Sequence, residues 1–144
     1  MQLATNFWKS SGASHFINDA LIELSRRAGS RGERVIVKLM FDRGSVKQVL
    51  ENHQNVTPQG WQSAGVGLPA PADMPNIDLA IVNFHRPLLG TFHCKFMVVD
   101  RQIATVSSNN IQDNDNLEMM SHLEGPIVDS LCKSTITMSK SIVS

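Results

Sequence analysis

Residues 91–100 read TFHCKFMVVD, a half-apolar run with a histidine and a lysine two positions apart. Residues two apart in a strand share a face. His93 and Lys95 therefore point one way with Met97 and Val99, and Phe92, Cys94, Phe96 and Val98 the other. An imidazole can attack an electrophile or carry a proton, and an ammonium beside it can hold an anionic group. A lone pair of this kind ordinarily sits on a solvated face near a strand end. Here it does not stand alone: four residues separate Lys95 from Asp100, and six more lead to SSNN at 107–110.

The pattern His93-x-Lys95, Asp100, Ser108, Asn110 resembles the signature of the phospholipase D superfamily, HxKxxxxD with GSxN at a fixed distance after it. By average residue usage, its first three positions arise by chance in roughly one chain in a hundred of this length. Serine and asparagine at the right offsets lower that several-hundredfold. The segment NLEMMSHLEGPIVDSL (116–131) resembles the stretch C-terminal to this motif in phospholipase D and cardiolipin synthase-like members, an acidic residue before an EGP turn and a helix. The chain departs from the pattern at Ser107, where the family has glycine. A serine keeps the close approach but not a positive φ.

The resemblance implies a site of His93, Lys95, Asp100, Ser108, Asn110 and Glu118. His93 attacks phosphorus through Nε2 to give a phosphohistidine, which splits phosphodiester cleavage into two easier steps. Its other ring nitrogen then needs an acceptor, and Glu118 on the neighbouring strand is the expected one. Lys95 and Asn110 hold the non-bridging phosphate oxygens, and Ser108 bonds within the cluster. Asp100, on the opposite parity, is expected to anchor backbone amides or Arg101 at the turn. His85 and Arg86, in NFHRPLLG, are further candidates for phosphate or head-group contact. This chemistry calls for no metal and no cofactor.

Other residues carry plainer readings. His122 shares a face with Glu118 and Glu124 and reads as structural, and Trp8 and Trp61 read as core or loop anchors. The acidic run QDNDNLE (112–118) lacks the glycine and terminal glutamate of a calcium loop and reads as a solvated turn.

The elements that must position these residues are set by periodicity. Phe16, Ile17, Ala20, Leu21, Leu24 and Ala28 predict a helix over 14–28, capped by Ser14 and stopped by Gly29. ERVIVKLMFD (33–42) predicts a strand buried on both faces, and Ser45 with Gln48 opens a short helix facing Val46, Val49 and Leu50 inward. Prolines and glycines between 54 and 76 predict a long loop without regular structure. Strands come next at 76–84, 92–99, 102–107 and 117–125, with a tight turn at Asp100 and Arg101, and then a helix opening at Pro126. This order is a mixed α/β fold with helices on a central sheet, and it matches one phospholipase D-like repeat, half of the family's usual fold. The expected organisation is one half-domain over 1–131 and an atypical tail over 132–144, with QLATNF as the remnant of an edge strand. Both ends read as truncated.

Composition fits a single globular domain of 144 residues, 42% hydrophobic and 18% charged. Thirteen basic residues balance thirteen acidic ones, so no global field draws in nucleic acid or anionic membrane. Cys94 and Cys132 are too few for a disulfide scaffold, although the two could pair, and a reducing interior is the expected setting. The N-terminus lacks a signal-peptide layout, and no apolar run approaches spanning length.

The reaction asks for a second acid/base, which the family supplies from a second copy of the motif. His15, His53, His85 and His122 each lack a lysine two residues on. Either two copies pair about a two-fold axis or the chain is half of a two-motif polypeptide, and the frayed ends favour the latter. The expected function is phospholipase D-type cleavage or phosphatidyl transfer on phospholipid, with peripheral membrane contact. A dimeric nuclease and a non-catalytic half are the alternatives. A nuclease would show more lysine and arginine near the site.

Overall fold

The apolar runs at 33–42 and 76–84 become neighbouring parallel strands at the heart of a mixed sheet. The computed structural model describes residues 1–42, 53–63, 65–85 and 92–139. Its elements are β1 Gln2–Thr5, α1 Gly12–Ser30, β2 Val35–Phe41, β3 His53–Asn55, α2 Pro58–Trp61, a 3-10 turn Pro71–Asp73, β4 Ile77–Phe84, β5 Phe96–Val99, β6 Ile103–Ser107, β7 Met120–Glu124 and α3 Pro126–Ser139. The sheet order is β3-β4-β2-β1-β5-β6-β7. β4, β2 and β1 run parallel, and β3, β5, β6 and β7 each pair antiparallel. The chain is an α/β fold, as the element order implies.

Alternation along the strands assigns each residue to one of two cores. On one face Leu39 and Phe41 of β2 and Ile77 and Ile81 of β4 bury against Leu21 of α1 and against Trp8, Trp61, Val66 and Met74. On the other, Ala4, Met40, Phe96, Val98 and Ala104 pack on Val128 and Cys132 of α3.

Several expectations change. QLAT is a central strand between β2 and β5, not an edge strand, and Ala4 and Thr5 are each only 1% exposed. The loop over 54–76 contains a short strand, a helical turn capped by Thr57 and a 3-10 turn opened by Pro71, because prolines at helix starts nucleate turns as well as end them. The cap of α1 is Ser11, which shares a reciprocal capping box with Ser14. Its buried row is Ser14, Leu21, Ser25 and Ala28, while Phe16 lies in solvent. Gly29 does not stop the helix; a Cβ there would collide with the Asn76 side-chain amide, and Gly32 supplies the left-handed exit.

At the other end α3 runs on past Leu131 to Ser139, held by the buried Cys132. β2 is buried on both faces only in its second half, since Ile36 is exposed. The short helix expected at Ser45, with Val46, Val49 and Leu50, lies outside the described residues, as does Arg86.

Candidate functional site

One edge of the sheet gathers the residues of interest. Because β5 is antiparallel to β1, and β6 and β7 alternate after it, this edge holds the C-terminal ends of β1, β2, β4 and β6 and the N-terminal ends of β5 and β7. Ligands of open α/β sheets bind outside the carboxyl ends of the strands.

His93 and Lys95 lie just ahead of β5 rather than within it. The ladder with β1 ends at Ala4↔Phe96, so the preceding residues leave the sheet at its edge. Lys95 is 6% exposed, and among the described residues its Nζ meets only His93: 3.1 Å from Nε2, 3.2 Å from Nδ1, and donating to the His93 carbonyl at 3.2 Å. Among the described residues Lys95 has no carboxylate partner. A buried ammonium without a counter-ion is costly unless an anion meets it. His93 itself is exposed.

Two backbone connections fix this segment. The Ser107 N–H donates to the Lys95 carbonyl at 3.0 Å, which joins the end of β6 to the lysine. On the other side the Phe92 N–H donates to Asp42 Oδ2 at 2.8 Å. Asp42 closes β2, is 6% exposed, and through Oδ1 binds His85 Nδ1 at 2.7 Å. The rings of Phe84 and Phe92 meet edge to face with centroids 5.9 Å apart, a second contact between the residues next to His85 and His93. Sequence reasoning misses Asp42. The available signal is an acidic residue ending a buried parallel strand.

Ser108 ties β6 to the approach of β7. Its N–H donates to the Met119 carbonyl, its Oγ accepts from the Met119 N–H, both at 2.9 Å, and its hydroxyl donates to Glu118 Oε2. Glu118 Oε1 accepts from Asn114 Nδ2 at 3.3 Å. The expected bond between Glu118 and the His93 ring is not formed, because β6 stands between β7 and β5 and Ser108 takes the carboxylate. Ser107 fits where the motif has glycine: it ends β6 without entering the positive-φ region.

Asn110 is tied to the segment that leaves β1. Its Oδ1 accepts from the Phe7 N–H at 3.2 Å, and Phe7 and Lys9 exchange backbone bonds with Ile111. A backbone N–H can only donate, so the amide orientation is set and Nδ2 remains for another acceptor.

Asp100 takes a different part from the one expected. Asp100 and Arg101 have φ of 49° and 60° in the turn closed by the Gln102 N–H on the Val99 carbonyl. Aspartate tolerates this region better than most side chains. The Arg101 guanidinium does not reach Asp100; it binds Asp129 of α3 at 2.8 Å, which raises its pKa above the ordinary value. Asp100 makes no side-chain hydrogen bond among the described residues, and this turn lies at the opposite edge of the sheet.

The remaining candidates are structural. His122 Nε2 meets Glu124 at 2.9 Å on the surface. Trp8 and Trp61 are buried and donate to the Val66 and Pro69 carbonyls. Asp113 accepts from the Gly12 N–H at the start of α1. Both cysteines are free, Cys94 exposed and Cys132 buried. Among the described residues no cluster of three or more His, Cys, Asp or Glu could hold a metal, and no helix is long and apolar enough to cross a membrane. A groove of about 460 Å³ over Trp61, Met74 and Ile77 lies away from this edge, and its one charged residue, Asp78, already binds Arg34.

Comparison with known families and with curated proteins finds no match to this chain.

Proposed function

We propose that this chain is one phospholipase D-like repeat that cleaves a phosphodiester, or transfers a phosphatidyl group to an alcohol, through a phosphohistidine at His93. The observation that carries the reading is Lys95: a buried ammonium with no carboxylate partner among the described residues, in contact with an exposed imidazole. A phosphodiester supplies the missing negative charge and brings phosphorus to His93.

In the first step His93 Nε2 forms a bond to phosphorus while the bond to the leaving oxygen breaks, and that oxygen takes up a proton. In the second, water or an alcohol attacks phosphorus, loses its proton, and the P–N electron pair returns to His93. Lys95 and the Asn110 amide stabilise the charge on the non-bridging oxygens in both transition states. Ser108 and Glu118 hold the wall of the site. The reaction needs a second proton carrier besides His93, which the resemblance places in a second motif, on a partner copy or another half.

Phospholipid is the favoured substrate. The chain carries no net charge, and Leu117, Met119 and Met120 flank Glu118 at 97%, 77% and 71% exposure. Such a rim suits an interface with acyl chains better than a phosphate backbone. Turnover of phosphatidylcholine vesicles against single-stranded DNA tests this: release of the head group is expected, and DNA cleavage without lipid turnover overturns it.

A further inference from the structure

The phosphohistidine reading calls for a second proton carrier, and the neighbourhood of His93 holds one group with the parts of such a carrier. Asp42 is a carboxylate buried at the end of β2, with both oxygens occupied. One holds the backbone N–H of Phe92, the residue before His93. The other holds Nδ1 of His85, the residue after β4. An ionised carboxylate only accepts, so the proton of that bond sits on Nδ1, and Nε2 is the nitrogen left to exchange protons. Nε2 has no partner among the described residues, and the side chain keeps 22% of its surface exposed. The Asp42 carboxylate, bonded to both Phe92 and His85, and the edge-to-face contact of Phe84 with Phe92 join the two histidine-bearing segments at this edge of the sheet.

A carboxylate, an imidazole oriented through Nδ1 and a free Nε2 are the parts of a general acid/base. From this we infer that His85, oriented by Asp42, is the proton carrier that works with His93. The inference rests on the phosphohistidine reading of His93. In the first step the proton on Nε2 of the His85 imidazolium passes to the leaving oxygen as the P–O bond breaks. In the second the neutral Nε2 takes the proton of the attacking water or alcohol, and the P–N bond breaks. Asp42 is a positioning residue: it orients His85 and anchors the segment that carries His93.

The test compares two phosphatidyl substrates on the full chain, phosphatidylcholine and phosphatidyl-4-nitrophenol. The nitrophenolate leaves without a proton, whereas choline does not. With His85→Asn, phosphorylation of His93 from phosphatidylcholine should fall roughly 10²–10⁴-fold. From the nitrophenyl ester it should proceed at the wild-type rate, and the labelled intermediate should accumulate because its breakdown also needs the base. Asp42→Asn, which still offers one acceptor oxygen, should show the same leaving-group dependence at smaller amplitude. An equal loss on both substrates would mean that His85 only maintains the fold, and unchanged rates on both would place the proton carrier elsewhere; either overturns the inference. Label on wild-type His93 upholds the underlying reading whatever His85→Asn does. Its absence from both substrates overturns that reading and this inference with it.

Discussion

The Ser107 N–H donates to the Lys95 carbonyl at 3.0 Å, which makes the two halves of the sequence motif one piece of sheet. Though distant along the chain, they are adjacent because the turn at Asp100 and Arg101 folds β6 back on β5. The spacing of the motif is therefore the length of a hairpin.

Lys95→Met should separate activity from stability. The thioether fills much of the same space without the charge, so the thermal midpoint should stay level or rise, since a buried ammonium with no carboxylate partner among the described residues is removed. Phosphodiester turnover should fall about 10²–10³-fold, as when one donor to a developing oxyanion is lost. Calorimetry and turnover on the same sample check both.

Asn110→Asp keeps an oxygen for the Phe7 N–H, so the fold should persist. The amide donor becomes a carboxylate facing the phosphate, so turnover should drop and inhibition by inorganic phosphate should weaken. Circular dichroism and a phosphate inhibition series measure this, and Asn110→Ala serves as the neutral comparison.

Ser108→Ala removes the side-chain bonds to Met119 and Glu118. A loss of about 0.5–1.5 kcal/mol in unfolding free energy is expected, the net range for a hydrogen bond whose freed partners meet solvent. Amides of residues 117–119 should exchange faster while those of β2 and β4 keep their protection, which hydrogen exchange resolves.

Asp100→Gly should leave turnover unchanged. Its φ of 49° carries a left-handed cost of at most ~1–2 kcal/mol, part of which glycine returns as unfolded-state entropy. A stability change within about 1 kcal/mol in denaturant, with unaltered turnover, is the expected result. A large loss of turnover would make the aspartate part of the chemistry.

Local pattern is the part of this fold that is legible in the sequence. Apolar runs mark β2 and β4, helical spacing marks α1, and two polar residues two apart mark the segment ahead of β5. Neighbour relations are less visible. QLAT is a short strand, and only its partners on both sides reveal it as central. Glu118 is expected beside His93 only if β7 adjoins β5, whereas β6 lies between them. Asp42 is hidden for the same reason: its meaning comes from Phe92 and His85, both far from it along the chain.

The most direct measurement is mass spectrometry of the chain quenched during turnover of phosphatidyl-labelled phospholipid. A phosphatidyl adduct on His93, acid-labile and absent from His93→Asn, is the expected result. Turnover with no adduct on His93, or with undiminished activity in His93→Asn, would contradict the assignment of His93 as the nucleophile.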